Sequence, residues 1–296
     1  MITLAFSTNA YTKFPLAEAC DRIAAAGYRA VEVLADVPHA YPVGYGVHEA
    51  ERLRERLGRL GLRCVAINGN TAMGYFDPAP AALTFEPSLI AADEVHRQDR
   101  LGIIRGAMTL ANRLGAPVVT ITTGQPLSGE PAIRSLLRPD PYGPVGAAVL
   151  RQRLLEGLEH VCRAADLAGV DVAIEPEPGQ FIETTAALRD LLDEVDHPRL
   201  GANLDVGHAA CAGDDPAESV RALAGRLKHL HLEDIRDRRH WHLIPGLGEI
   251  DFGAIRRALG EVGYSGAAAV ELYTYKDEPD RAAAEAFRAL APLFGG

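Results

Sequence analysis

The most constraining feature of this sequence is its regular alternation of short apolar segments with longer amphipathic ones. Eight short segments have the composition of buried β-strands, at residues 2–7, 30–34, 63–67, 117–122, 170–174, 200–204, 227–232 and 267–272. The amphipathic patterns that follow them predict helices at residues 15–26, 48–60, 95–114, 147–168, 184–195, 216–224, 252–262 and 280–293. Several strands are almost continuously apolar, which is expected when protein covers both faces of a parallel sheet.

Eight strand–helix units in a chain of 296 residues predict a single (β/α)₈ barrel, the TIM-barrel architecture, as one domain over residues 1–296. The competing α/β architecture is a doubly wound open sheet. No G-x-G-x-x-G sequence follows the first strand, so nothing favours a dinucleotide-binding sheet. Two long loops, at residues 71–92 and 124–146, follow the third and fourth strands. In a barrel they reach the catalytic rim, either as lids or as surface insertions without a role.

Polar residues stand where most of the predicted strands end. These positions are Glu32, Asn68, Thr120 or Thr122, Glu175 and Glu177, Asp205, His231 and Glu271. Because the C-terminal ends of barrel strands converge, we expect their side chains at one site. Several buried charges at one rim are destabilising unless a cation offsets them. Mixed oxygen and nitrogen ligands therefore predict one divalent metal ion, which is Mn, Co, Mg or Zn.

The end of the sixth strand is the clearest example of this pattern. The stretch Gly201-Ala-Asn-Leu-Asp-Val-Gly-His208 presents Asp205 and His208 where the strand breaks at Gly207. Taken alone, an aspartate and a histidine near a turn more often cap a helix or stay in solvent. The interpretation as metal ligands depends on the neighbouring strands, which end in the same way.

Charge and composition narrow the class of protein. The formal net charge of −10 argues against binding to a phosphate backbone, although it leaves a local basic patch open. No apolar run is long enough to span a bilayer, and the first residues lack a signal-peptide pattern. The four cysteines form no C-x-x-C pair, which suits a reducing compartment. We therefore expect a cytoplasmic protein that binds neither nucleic acid nor a membrane.

Five motifs in the second half of the chain resemble the xylose-isomerase-like superfamily. They are IEPEPG at 174–179, LDVGH at 204–208, HLHLED at 229–234, PGLGEIDF at 245–252 and VEL at 270–272. The first half resembles the superfamily only through the barrel rhythm. Its members include sugar and sugar-phosphate isomerases and epimerases, inosose dehydratases and apurinic-site endonucleases, so the resemblance identifies a superfamily and leaves the individual activity open.

The resemblance implies a metal held by Glu175, Asp205, His231 and Glu271. In the epimerase branch the two glutamates also lie on opposite faces of the substrate. One removes the proton next to a carbonyl and the other returns a proton, while the metal stabilises a cis-enediolate. Glu175 and Glu271 are therefore the predicted catalytic pair. The alternative is a structural metal site or a set of surface salt bridges.

Substrate contacts are predicted at His208, Glu177, His242, Asn68 and Arg238. His208 resembles the family histidine that touches substrate oxygens, although a water-exposed histidine at a helix start is the alternative. Glu177 has the same strand parity as Glu175 and could replace it as the ligand. Arg238 stands in a run with Arg236 and Arg239 that could meet a phosphate or carboxylate, or simply be a solvated charge run. His229 shares parity with His231 but is expected deeper, as a hydrogen-bonded core group.

The predicted function is a metal-dependent isomerase or epimerase of a sugar or sugar phosphate. The first alternative is a lyase of the same fold, either an inosose-type dehydratase or an enzyme that cleaves C-glycosides. An endonuclease is disfavoured because Asn68 and Thr120 or Thr122 stand where that branch needs histidines, although His240 and His242 resemble part of its third-metal site. A non-catalytic sugar-binding barrel is the remaining alternative. The barrel is also compatible with a homo-oligomer, and the sequence does not name the sugar.

Overall fold

The computed structural model describes residues 2–81, 83–125 and 146–295. The barrel consists of eight parallel strands, which are β1 (Thr3–Ser7), β2 (Ala30–Leu34), β3 (Arg63–Asn68), β4 (Val118–Ile121), β5 (Asp171–Ile174), β6 (Leu200–Asp205), β7 (Leu227–Leu232) and β10 (Ala267–Val270). They close in the order β1-β10-β7-β6-β5-β4-β3-β2. The predicted (β/α)₈ TIM barrel is therefore confirmed. Its extent as one domain over residues 1–296 stays a prediction, because residues 126–145 lie outside the described parts.

Helices surround the barrel over the described residues. They are α1 (Leu16–Ala25), α2 (Val47–Leu60), α3 (Glu94–Leu114), α4 (Ala147–Ala168), α5 (Thr185–Val195), α6 (Val206–Ala212), α7 (Pro216–Ala222), α8 (Phe252–Glu261) and α9 (Pro279–Phe294). Gly115 and Gly169 end α3 and α4 in the left-handed region, with φ of 71° and 70°, as the sequence predicts for glycines just past a helix.

A helix and a β-hairpin that were not predicted lie beside the barrel rim. Helix α6 begins directly after β6, because one oxygen of Asp205 accepts the backbone N–H groups of Gly207 and His208 at 2.7 and 3.0 Å. The charged segment after β7 forms an antiparallel hairpin of β8 (Asp234–Arg236) and β9 (Arg239–Leu243) where a loop was expected. Both elements place side chains near the ends of β6 and β7.

The interior of the barrel contains an apolar cluster and a layer of polar side chains. Small apolar side chains, including those of Ala5 and Ala269, form one buried cluster. In β7 the buried side chains of His229 and His231 approach Glu32 of β2. The small neighbours leave room for these polar groups, which form a buried layer beneath the rim.

The long loop after β3 is fixed at its start by two buried charges. Asp36 accepts hydrogen bonds from the Thr71 hydroxyl and from the backbone N–H groups of Met73 and Gly74 at 2.6 to 2.9 Å. Arg100 donates to the carbonyl of Gly69 at 2.7 Å. Over its described residues this segment is irregular, as predicted, apart from one short 3₁₀ helix, Met73–Tyr75. Of the second predicted loop, residues 126–145 lie outside the described parts, and its role as a lid stays a prediction.

Asp234 organises the segment that follows the hairpin. Its two carboxylate oxygens accept the backbone N–H groups of Ile235, Gly246, Gly248 and Ile250 at 2.8 to 3.0 Å. Replacing Asp234 with Asn should lower the free energy of unfolding by about 2 kcal/mol, because an amide nitrogen would face backbone donors that have lost their acceptor. Urea denaturation would measure this, with exposed Asp190→Asn as the control. Equal stability of the two variants would contradict the prediction.

Candidate functional site

The four predicted metal ligands lie together at the C-terminal end of the barrel. Nδ1 of His231 is 3.2 Å from Oε1 of Glu175, 3.6 Å from Oε2 of Glu271 and 3.9 Å from Oδ2 of Asp205. All four side chains are buried. One ligand atom from each lies within 4.8 Å of the others. The chain brings them together because Glu175 follows β5, Asp205 ends β6, His231 lies in β7 and Glu271 follows β10.

Both glutamates are held by asparagine side chains. Oε2 of Glu175 accepts from the side-chain amides of Asn70 and Asn203, the latter at 2.8 Å. Oε1 of Glu271 accepts from the amides of Asn9 and Asn68, each at 2.8 Å. In each glutamate the other oxygen faces His231. The amides therefore fix which oxygen of each carboxylate is directed at the group of four.

Asp205 follows the same pattern with backbone donors in place of amides. Its Oδ1 caps α6, whereas its Oδ2 is buried with no hydrogen-bond partner among the described residues. Three carboxylates thus each direct one oxygen toward a single imidazole nitrogen. Such a set suits a divalent cation, which would satisfy the unpartnered oxygen and offset the repulsion between the carboxylates.

The environments of the two glutamates separate their pKa values. For Glu175, burial raises the pKa, but the charges and hydrogen bonds of His231 and His208 outweigh burial and hold it well below its usual range. For Glu271, burial and repulsion by Glu175 raise the pKa to about 8, against the attraction of His231. A pair of carboxyl groups divided in this way suits one base and one acid.

The raised pKa of Glu271 predicts how pH acts on the metal-free protein. The pKa lies above the usual 4.5, so the folded state holds a proton that the unfolded state releases. This contribution to stability is complete below about pH 4.5 and is lost as the pH rises through 8. His208, with a pKa raised to about 10 by Asp205 and Glu175 against the effect of burial, acts in the same direction above pH 6.5.

Added zinc should therefore raise the melting temperature more at pH 8 than at pH 6, because the ion must displace protons to bind. Thermal unfolding with and without zinc at pH 6, 7 and 8 would measure the increment. Buffers of matched ionic strength control for general salt effects. The protein is freed of magnesium beforehand. An increment that does not change with pH would contradict the protonation of these groups in the metal-free protein.

Four of the five predicted substrate residues line the pocket above the ligand group. The pocket has a volume of about 390 Å³ and is bordered by Asn68, Glu177, His208 and His242, together with Glu175 and Glu271. His208 lies in the first turn of α6 but is only 2% exposed, so it is not the water-exposed histidine of the alternative. Glu177 is buried in the pocket wall, and the group of four ligands contains Glu175 in its place.

Arg238 does not line this pocket, so its assignment to the substrate has no support from the geometry. It stands with Asp237 at the hairpin turn, where both residues have positive φ, and its guanidinium packs beside Gly213 on the outer side. Its neighbours are engaged elsewhere. Arg236 donates to the carbonyl of Leu247 at 2.5 Å, and the guanidinium of Arg239 stacks over a tryptophan ring.

A second group of candidate ligands lies beside the first. The Nε2 atoms of His208 and His240 are 2.9 Å apart, and those of His240 and His242 are 2.8 Å apart. On the other side of His242, Nδ1 is 2.6 Å from a carboxylate oxygen of buried Glu233. Burial and repulsion by His208 lower the pKa of His240 to about 4 and that of His242 well below its usual range, which leaves both imidazoles neutral.

Of the four asparagines that hold the two glutamates, the sequence analysis predicted only Asn68 as a site residue. Asn9 and Asn70 each follow a strand end, and Asn203 shares the strand parity of Asp205 two residues later. That parity was the available signal. It is weak, because an asparagine at a strand end is as often part of a turn as part of a site.

The chain is similar in sequence to enzymes that act on sugars and inososes. A family model described as xylose isomerase-like TIM barrel matches residues 20–293. Fructoselysine 3-epimerase of Escherichia coli O157:H7 is 26% identical over 296 residues, covering 96% of this chain and 97% of that protein. Inosose dehydratase of Lacticaseibacillus casei is 31% identical over 137 residues, covering 40% of this chain and 46% of that protein.

Among solved structures, the IOLI protein with a bound zinc atom is similar in fold. It superposes with a TM-score of 0.76 and 18% identity, over 99% of this chain and 98% of that one. Over the described residues, no helix is both long and apolar enough to cross a membrane. The match of the family model over nearly the whole length, together with the closed barrel, establishes that this chain belongs to the xylose isomerase-like TIM barrel family.

Proposed function

We propose that this protein is a divalent-metal-dependent isomerase or epimerase of a ketose or a ketose derivative. The observation that carries the proposal is the pair of buried glutamates, Glu175 and Glu271, three strands apart around the barrel with His231 between them. Its similarity along nearly the whole chain to a fructoselysine 3-epimerase supports the same class of reaction. The four cysteines form no disulfide, so we propose the cytoplasm as the location.

The residues of the site divide the proton transfers between two faces of the substrate. Glu175, whose pKa is lowered by His231 and His208 against the effect of burial, is the ionised base. It removes the proton on the carbon next to the carbonyl, which leaves an enediolate. Glu271 returns a proton from the other face, to the same carbon in an epimerase or to its neighbour in an isomerase.

The chain's other groups hold this arrangement. Glu175, Asp205, His231 and Glu271 would bind the metal, which supplies positive charge that polarises the carbonyl and hydroxyl oxygens of the substrate. Asn68 and Asn9 hold Glu271, so the returning proton is presented from a fixed position. His208 and His242, which line the pocket, are the proposed contacts to the substrate hydroxyls.

The pocket favours a substrate larger than a free sugar. Besides the polar groups of the site, its lining includes the apolar side chains of Leu34, Val37, Met73, Leu83 and Phe85. A volume of about 390 Å³ lies within the range that holds drug-sized ligands. We therefore propose a ketose with an apolar or amphipathic substituent, which would remove part of this apolar lining from water.

Deuterium incorporation tests the proposed function directly. Metal-loaded protein would be incubated in D₂O with free ketoses and with ketoses that carry an alkyl or aryl substituent. We expect a product of the same carbon skeleton with deuterium at one carbon, formed faster from the substituted sugars. Protein that binds about one metal ion per chain and exchanges no carbon-bound hydrogen in any of them would count against the proposal.

The second candidate is a lyase that starts with the same proton abstraction and then expels a β-substituent. It is favoured by the partial similarity to an inosose dehydratase, which covers 40% of this chain. Mass spectrometry of the product separates the two. An isomer has the mass of the substrate, apart from deuterium, whereas a dehydratase product has lost water and a C-glycoside cleavage product has lost its aglycone.

A further inference from the structure

Glu32 lies at the base of the ligand group and has no role in the proposed reaction. It belongs to β2, three strands from β7 around the barrel, and its side chain is fully buried. Its Oε2 is 2.8 Å from Nε2 of His229 and 2.9 Å from Nε2 of His231. Three nitrogen atoms thus surround the carboxylate, those of the two histidines and of the Asn68 side-chain amide, which is the arrangement expected of an ionised acceptor.

This contact determines which nitrogen of His231 can bind a metal. An ionised carboxylate accepts hydrogen bonds only, so the Nε2 that faces Glu32 must carry a proton. A neutral imidazole with a proton on Nε2 has its lone pair on Nδ1. In His231, Nδ1 is the atom that faces Glu175, Asp205 and Glu271. Glu32 therefore selects the tautomer and the ring orientation in which His231 can act as a ligand.

A second contact connects Glu32 to another candidate ligand. The side-chain amide nitrogen of Asn68 is 3.2 Å from Oε1 of Glu32 and 2.8 Å from Oε1 of Glu271. One donor thus bridges the two carboxylates, so that a displacement of Glu32 would release Asn68 from its present position. Two of the four candidate ligands are held through Glu32, His231 directly and Glu271 through Asn68.

His229 holds Glu32 in place from the same strand. It lies two residues before His231, so both rings point to the same side of β7, and it is fully buried. Its Nε2 donates a hydrogen bond to the carboxylate of Glu32 at 2.8 Å. An oxygen that accepts two hydrogen bonds restricts the carboxylate more than an oxygen that accepts a single one. The sequence prediction that His229 is a hydrogen-bonded core group agrees with this position.

We infer that Glu32 is a positioning residue that prepares His231, and through Asn68 also Glu271, to bind a divalent metal ion. The inference rests on the proposed metal site. Glu32 does not border the pocket and is not a contact to the substrate. It acts from beneath the site, by fixing the nitrogen and the carboxylate oxygen that are offered to the ion.

The test is the affinity of the full-length protein for zinc and the absorption spectrum of its cobalt form. Glu32→Gln keeps the shape of the side chain but replaces one oxygen with a donor, which then faces either both histidine nitrogens or the side-chain amide of Asn68. We expect zinc binding to weaken about 10- to 100-fold, with an altered cobalt spectrum. Glu32→Asp, which keeps the charge, should recover part of the affinity. Glu86→Gln is the matched control, since this largely buried glutamate has Ser88 and Arg100 as its neighbours.

The outcomes separate this inference from the proposed function. Wild-type protein that binds no metal would remove the proposed function. Wild-type protein that binds zinc with an affinity equal to that of Glu32→Gln would remove only the role of Glu32. If Glu32→Gln does not fold, nitrogen NMR of zinc-loaded wild-type protein decides. We expect a proton on Nε2 and the metal on Nδ1 of His231, and the reverse assignment would overturn the inference.

Discussion

Replacing Glu271 with glutamine is expected to reduce kcat by about 10²- to 10⁴-fold while the barrel stays folded. The substitution removes a group that can take and give a proton, yet keeps its length and one oxygen. That oxygen can still accept from Asn9 and Asn68, which hold the glutamate at 2.8 Å each. Steady-state kinetics and deuterium exchange in D₂O would measure the loss, because a group that transfers the proton controls the rate of turnover and the rate of exchange.

The stability of this variant distinguishes a lost proton donor from a damaged fold. Burial and repulsion by Glu175 raise the pKa of Glu271 to about 8, so in the metal-free protein this side chain is neutral below that pH, and glutamine removes a buried charge only at higher pH. The metal-free variant should therefore unfold at a temperature equal to or above that of the wild type. Assays at saturating metal, with the bound metal measured, control for the loss of a ligand, and Glu285→Gln on α9 controls for the substitution itself. Full activity would remove Glu271 from the mechanism.

The sequence allowed the prediction of the barrel and of the group of four ligands for one physical reason. Nearly continuous apolar strands identify a parallel sheet covered on both faces, and a closed sheet brings all strand ends to one rim. Any charged residue at such an end must then find a partner there. Glu175, Asp205, His231 and Glu271 satisfied that argument before any distance was known, and the structure brings them together. Their roles as ligands and catalysts stay predictions.

What the sequence did not provide was the direction of individual side chains. Arg238 was expected at the substrate because its run of arginines could meet a phosphate or carboxylate, with a solvated charge run as the alternative. The hairpin turn, with φ of 55° at Asp237 and 53° at Arg238, directs it outward, and a composition rich in charge does not specify a turn of this kind. Asn203 was missed because it lies inside an apolar strand, and a single sequence does not show which group its amide contacts.

Replacing Asp205 with asparagine is expected to weaken zinc binding by more than about 100-fold. This loss is larger than that expected when a ligand only loses a hydrogen bond that supports it. The two oxygens of Asp205 have different partners. Oδ1 caps α6 through Gly207 and His208, and Oδ2 has no partner among the described residues. Asparagine caps helices as well as aspartate does, so the fold is retained. Its amide nitrogen, in the place of Oδ2, cannot bind a cation. Competition with a zinc chelator would measure the affinity.

Asp215→Asn is the matched control for this prediction. Asp215 caps α7 in the same manner, since its side chain accepts the backbone N–H of Glu218 at 2.9 Å, but it is exposed and does not line the pocket above the ligands. Its zinc affinity should equal that of the wild type. If Asp205→Asn binds zinc as tightly as Asp215→Asn, then Asp205 is only a helix cap, which is the ordinary meaning of an aspartate at a turn. If only Asp205→Asn loses the metal, one side chain both starts α6 and completes the site.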